Sequence, residues 1–217
     1  MTRGAKMDIM DHMRRRLFII ILILSVLMIA SGCAEENTYQ EEADRLAPLL
    51  NWQTGSVIAD IGAGGGEMTF SAAKRVGTEG RVYATELDTK KVAKLIELAA
   101  KEKNITVIQG SEAQTNLPHE CCDSIFMRLV YHHFTKPAEI DASLFRSLKA
   151  GGLLAVIDRG PPAGSSKVEG VPENRGGHGM PLNILIEELT SAGFQVVKSI
   201  DDWPSKLYCV VFRKPSH

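Results

Sequence analysis

The stretch Asp60-Ile61-Gly62-Ala63-Gly64-Gly65-Gly66 constrains this chain more than any other. The apolar run Val57-Ile58-Ala59 leads into it, and a helical pattern opens at Glu67. It reads as a strand closed by an acidic residue, a glycine turn and a helix start. Glycines at 62, 64 and 66 let the backbone turn tightly. A side chain at Gly62 or Gly64 is expected to fill space that a nucleoside needs. Such a turn suits a nucleoside-bearing ligand over the carboxyl ends of parallel strands. A dinucleotide pattern, G-x-G-x-x-G, requires its third glycine three places after the second. Glu67 stands there, so a nicotinamide-dependent oxidoreductase is the weaker reading.

Strand and helix patterns alternate along the chain. Strands are expected at Ser56–Ile61, Arg81–Glu86, Ile105–Gln109, Asp123–Val130 and Leu153–Asp158. Helices are expected over Glu67–Val76, from Asp88 to about Lys103, from Pro137 to about Lys149, and over Pro181–Ala192. In the second of these, Val92, Leu95, Ile96 and Ala99 share one face. Gly151-Gly152 and Gly193 read as helix stops. This alternation implies a parallel sheet with helices on both faces. The last two apolar runs, Phe194–Ile200 and Leu207–Arg213, flank the turn-like Asp201-Asp202-Trp203-Pro204 with no helix between them. They are expected to form an antiparallel hairpin. The expected fold is thus α/β: a Rossmann-like, seven-stranded, mostly parallel sheet with one reversed strand from a C-terminal hairpin.

A chain of 217 residues holds one such domain and hardly two. Residues 55–217 are assigned to it. Residues 34–54 are expected to carry a lead-in helix, with Ala43, Leu46, Leu49 and Leu50 returning at helical spacing. Residues 1–33 have the layout of a secretory signal: Arg14-Arg15-Arg16, an apolar run from Leu17 to Ala30, then Ser31-Gly32-Cys33. As a helix, Leu17–Ala30 would be roughly 21 Å long, at 1.5 Å per residue. A membrane core is about 30 Å thick, so the run spans poorly. Ala30-Ser31-Gly32-Cys33 is similar to a bacterial lipobox, which implies a membrane-associated lipoprotein anchored at Cys33. An uncleaved inner-membrane anchor, or a cytoplasmic protein starting at a later Met, are the alternatives.

Lys and Arg total 25 against 26 Asp and Glu, which gives no whole-chain argument for a nucleic-acid partner. The four cysteines show neither C-x-x-C nor Cys/His zinc spacing, so no disulfide scaffold and no metal site is expected.

Four ordered motifs now carry a resemblance. The turn at 60–66 resembles D/E-x-G-x-G-x-G, motif I of class I S-adenosyl-L-methionine (SAM) methyltransferases. Asp123 through Phe134, with Leu129 and His132-His133, resembles the D-x-V…L-H-H motif of the branch that includes ubiquinone and menaquinone methyltransferases. Leu148-Lys149-Ala150-Gly151-Gly152-Leu153-Leu154 resembles L-K-P-G-G-x-L, with Ala150 for Pro. Gly110-Ser111-Glu112-Ala113 stands where many members carry G-D-A. The likeness runs from about Gly55 to Arg213 and implies SAM as cofactor and a small or lipophilic methyl acceptor.

The resemblance places the cofactor against Asp60, Gly62, Ala63, Gly64, Gly66, Glu86, Leu87, Ser111, Glu112 and Arg128. Glu86, at the end of the second strand, is expected to accept from both ribose hydroxyls, with Asp88 capping the next helix instead. Ser111 replaces the Asp that reaches the adenine amino group in relatives, leaving Ser111 or Glu112 to serve. Arg128, inside a strand, also reads as an internal ion-pair partner of a strand-end carboxylate. A sulfonium methyl already carries a good leaving group, so alignment of the acceptor and proton removal are the enzyme's work. Tyr131, His132, His133 and His178 are candidate bases, and Arg159 could position an anionic acceptor. The Gly/Pro-rich loop from Arg159 to about Met180 is expected to be a mobile lid or acceptor wall. A tethered binding protein that kept the fold but lost turnover is the rival reading.

Overall fold

The computed structural model describes residue 18 and residues 38–216. Apart from residue 18, the signal and lipobox expected within 1–33 lie outside the described residues. Among the described residues no helix is long and apolar enough to cross a membrane.

Helix α1 covers residues 38–49 and buries Ala43, Leu46 and Ala47, with Leu50 just beyond it. Then come β1 (Val57–Ile61), α2 (Glu67–Val76), β2 (Arg81–Glu86), α3 (Thr89–Ala99) and β3 (Ile105–Gln109). They are followed by β4 (Cys122–Arg128), α4 (Pro137–Ser147), β5 (Leu148–Asp158), α5 (Leu182–Ser191), β6 (Gln195–Trp203) and β7 (Leu207–Arg213). The seven strands lie in the order β3-β2-β1-β4-β5-β7-β6. Strands β1 to β5 pair in parallel, and β7 runs antiparallel to both of its neighbours. The expected fold is present, including the reversed strand.

Local chemistry explains the starts of the helices. Asp88 accepts from the backbone N–H groups of Lys90 (2.8 Å) and Lys91 (3.1 Å), a cap that contributes about 1 kcal/mol to α3. Helix α2 has no side-chain cap; it opens from Gly66 at φ 93°, a conformation that glycine adopts without a Cβ penalty. Helix α4 opens with Pro137 in its first turn, where the missing N–H costs nothing. Ile96 departs from expectation: it is 55% exposed, while Val92, Leu95 and Ala99 bury the α3 face.

Two strand boundaries differ by three residues or more, for tertiary reasons. Strand β5 begins at Leu148, which pairs with Cys122, so the two glycines lie inside an extended segment and do not end a helix. Gly151 donates to the Lys214 carbonyl, and Lys214 donates to that of Gly152. Strand β6 runs on to Trp203, which is buried and pairs with Leu207.

The largest apolar cluster joins β4, β5 and β7 to α4 and α5 through Ile125, Met127, Leu144, Val156, Leu185 and Phe212. The carboxyl ends of β1, β2, β3, β4 and β5 converge on one edge, where the loops after them shape a crevice.

Candidate active site

The β1–α2 turn is held against β2. Gly62 and Ala63 donate their N–H groups to the Thr85 carbonyl, each over 2.9 Å. Gly64 donates its N–H to Oε2 of Glu86 over 3.1 Å. Oε1 of Glu86 accepts from the N–H groups of Leu87 (2.8 Å) and Asp88 (3.2 Å), and Lys91 Nζ lies 3.9 Å from Oε2. A carboxylate has about four acceptor positions. Three are taken by backbone donors, so one, on Oε2, is left for a ligand. The expected pair of ribose hydroxyls therefore cannot both bond here unless the Gly64 contact is shared.

The glycines serve different ends. A Cβ at Gly62 would lie 2.4 Å from Cγ2 of Val130, so this glycine makes room for the β4 exit and not for a ligand. At Gly64 a Cβ meets nothing closer than 3.9 Å, and only its φ of 58° and the open crevice bear on it. The nucleoside-space expectation thus fits Gly64 and is corrected at Gly62.

Above this turn lies a cavity of about 380 Å³. Gly62, Gly64, Glu86, Leu87, Ser111, Glu112, Arg128 and His133 line it, with Ile61, Val130, Phe134 and Ile140 as its apolar wall. The size falls within the range of small-ligand clefts, about 300–1,000 Å³. Among the described residues no atom plugs the space over Gly64.

Asp60, Ala63 and Gly66 stand behind the wall, whereas Ser111 and Arg128 line the cavity but are engaged by the protein itself. Asp60 is buried, accepts from the Thr69 hydroxyl over 2.6 Å, and ties β1 to α2. Burial pushes its carboxyl up to about 7. Ala63 packs against Ala84 and Leu95, and Gly66 sits under Leu95 and Phe70. Ser111 Oγ accepts from the Gln114 and Ala113 N–H groups (3.1 and 3.4 Å), so it shapes the loop after β3. Arg128 reaches the cavity but clasps Glu42 with two 2.9 Å bonds. Its partner lies on α1, not at a strand end, and Trp203 also donates to Glu42 over 3.1 Å.

The candidate bases separate sharply. Tyr131 is fully buried, its hydroxyl 2.9 Å from Oδ2 of Asp141 and 3.0 Å from Oε2 of Glu188. Burial and these carboxylates push its pKa far above the phenol range, which removes it as a base. Asp141 is itself pushed up to about 7 by burial. A phenol has one proton for two acceptors, so a carboxylic proton shared in this cluster completes both contacts. His132 is buried, with Nδ1 2.8 Å from Oδ1 and 3.0 Å from Oδ2 of the buried Asp158. A carboxylate only accepts, so Nδ1 carries the proton. His133 is exposed and lines the cavity; desolvation, then His132 and His178, hold its pKa below the ordinary range. The His133 and His178 rings meet edge to face at 6.0 Å. Arg159 follows β5 at the surface, its N–H on Asp158 (2.8 Å), and its side chain does not line the cavity.

The 159–180 loop is more ordered than its glycines imply. Arg175 is buried, stacks 5.0 Å from the Tyr131 ring and bonds Glu188 over 2.9 Å. Tyr208 donates to the Met180 carbonyl over 2.7 Å. This end of the loop is thus tied to α5 through Glu188 and to β7 through Tyr208. Nothing in the sequence sets Arg175 apart from the other charged residues of this loop, so its burial is visible only in the fold.

This strand order, with a glycine turn and a strand-end carboxylate at the carboxyl edge, defines the class I methyltransferase fold. Residues 59–156, just under half of the chain, match the family model described as a methyltransferase domain. The ubiquinone/menaquinone biosynthesis C-methyltransferase UbiE of Marinomonas sp. (strain MWYL1) is 25% identical over 113 residues, which is 51% of this chain. That match spans only 45% of the relative's length. A SAM-dependent methyltransferase of Aquifex aeolicus superposes with a TM-score of 0.66 at 23% identity, covering 79% of this chain and 89% of that one. One from Mesorhizobium loti gives 0.61 at 17% identity, covering 78% and 96%. The 4+2 cyclase SpnF gives 0.67 at 16% identity, covering 82% of each chain. These structural likenesses establish the fold.

Proposed function

We propose that this protein transfers a methyl group from SAM to a small or lipophilic acceptor. The observation that carries the reading is the open crevice between Gly64 and Glu86, with an acceptor position on Oε2 facing it. The residues fit the cofactor: Glu86 takes a ribose hydroxyl, and Leu87 offers an apolar side to the adenine. Because Ser111 Oγ is engaged by its own loop, Glu112 is the residue left to meet the adenine amino group. Bound SAM supplies an activated methyl on a positively charged sulfur. The chain contributes position: Val130, Phe134 and Ile140 form an apolar wall that excludes water, and His133 faces the acceptor end. The likeness to the ubiquinone and menaquinone branch supports an acceptor with an apolar body.

Calorimetric titration of SAM into the full-length chain tests the cofactor. Absence of binding near millimolar, where Kd corresponds to only about −4.1 kcal/mol, would remove the reading. Methyl-labelled SAM incubated with a cell extract then tests turnover, since SAM binding without any transfer favours the tethered binding protein.

We also propose that the chain is anchored at a membrane through Cys33, on the strength of Ala30-Ser31-Gly32-Cys33 behind an apolar run. Cys33→Ser should abolish incorporation of labelled fatty acid. A native protein that never takes up label would return the assignment to an uncleaved anchor or a later start.

A further inference from the structure

We propose that His132, His133 and His178 form a site for a divalent transition metal of the zinc class. One ring nitrogen of each lies within 4.8 Å of the others. Sequence spacing gave no hint of this, because His178 arrives from the loop after β5 while the other two follow β4.

The site is built, not merely crowded. His132 is buried, and its Nδ1 is committed to the buried Asp158 at 2.8 Å, which leaves Nε2 as the free donor. Carboxylate–histidine–metal chains have this arrangement, in which the carboxylate fixes the tautomer and raises the ligand's basicity. The backbone N–H groups of His132 (3.3 Å) and Arg159 (2.8 Å) also hold Asp158, so the carboxylate is fixed independently of any ion. His178 stands at the apex of a three-residue turn, Gly179 donating to the Gly177 carbonyl over 2.6 Å. Gly177 and Gly179, on either side of it, pack closely against Ser165 and Gly160, which holds the turn in place.

Ligand type selects the ion. Three imidazoles and no carboxylate in the inner set suit zinc, copper, nickel or cobalt over magnesium and calcium. Nitrogens bonded to zinc stand about 2.0–2.1 Å from it, so the three must draw in somewhat from their present spread. His133 and His178 are both exposed and have the freedom to do so. Three protein ligands leave a fourth position open, as in catalytic zinc sites. His133 also lines the crevice, so the site adjoins it.

Metal binding at this site can be tested without SAM. Full-length chain should be dialysed against buffered free zinc, and bound metal counted by elemental analysis. One zinc per chain is expected. His178→Ala, a change at an exposed loop apex that leaves the fold intact, should weaken zinc at least tenfold, and His133→Ala likewise. Asp158→Asn should weaken it about ten- to a hundredfold, the range for outer-shell partners. Cys121→Ser, at the amino end of β4 and away from the histidines beyond its carboxyl end, should change nothing. Cobalt loaded in place of zinc should show the intense visible bands of a low-coordinate nitrogen site, lost in His178→Ala. Substoichiometric zinc at micromolar free metal would overturn the proposal. So would zinc retained in both histidine variants, or lost only in Cys121→Ser.

Discussion

The backbone N–H of Gly64 donates to Oε2 of Glu86 over 3.1 Å, so the glycine turn and the strand-end carboxylate form one unit. Glu86 is both a candidate ligand group and the anchor of the turn that shapes its own crevice. Glu86→Ala should therefore lower SAM affinity tenfold or more, because charge-assisted bonds contribute about 1.5–3 kcal/mol. Glu86→Gln can still accept at one oxygen and should lose less. Calorimetry on both variants separates the effects, and equal affinities for wild type and Glu86→Ala would move the ribose contact elsewhere.

Gly62→Ala should destabilise the fold by at least about 2 kcal/mol, from a left-handed φ and a core overlap. Its Cβ would meet Val130 Cγ2 at 2.4 Å. Val130→Ala in the same chain should recover the overlap part and not the backbone part. Urea unfolding of both variants checks this; a Gly62→Ala midpoint equal to wild type would refute the packing account.

Glu42 is buried and held by Arg128 and Trp203. Arg128→Met leaves that carboxylate unpaired and should cost about 3–5 kcal/mol. Adding Glu42→Gln should restore much of the loss, since the uncompensated charge is gone. Thermal melts of the single and double variants measure the coupling.

Asp60 and Asp141 have folded-state carboxyls pushed from 3.8 to about 7 by burial. Between those values the native state binds more protons than the unfolded chain, so stability falls as pH rises from about 4 to about 7. Asp60→Asn, which keeps an acceptor for Thr69, should flatten this slope. Denaturation midpoints at several pH values test the sign, and a slope that Asp60→Asn leaves unaltered would relocate the protons.

Much of the fold was legible because its signals are local. Helix α2 and strands β2, β3 and β7 begin and end where pattern and glycine punctuation place them. Strand β5 was misjudged at Leu148 because Cys122 and Lys214, remote in sequence, keep its glycines extended. Trp203 looked like a turn residue because its partner Glu42 lies at the other end of the domain. The same limit applies at the site. Gly64 and Glu86 announce themselves by motif, whereas only the fold shows that Tyr131 faces inward, that His132 rests on Asp158 and that His178 joins them.

Strand β7 is the last element of the sheet in sequence, yet it occupies an interior slot between β5 and β6. A chain delivered amino end first thus exposes one edge of β5, and leaves β6 without a neighbour, until the final strand arrives. Assembly of this half of the sheet must wait for complete synthesis or translocation. Proteolysis within Leu207–Arg213 would accordingly dismantle the layer under Met180 and Trp203, not trim a dispensable tail.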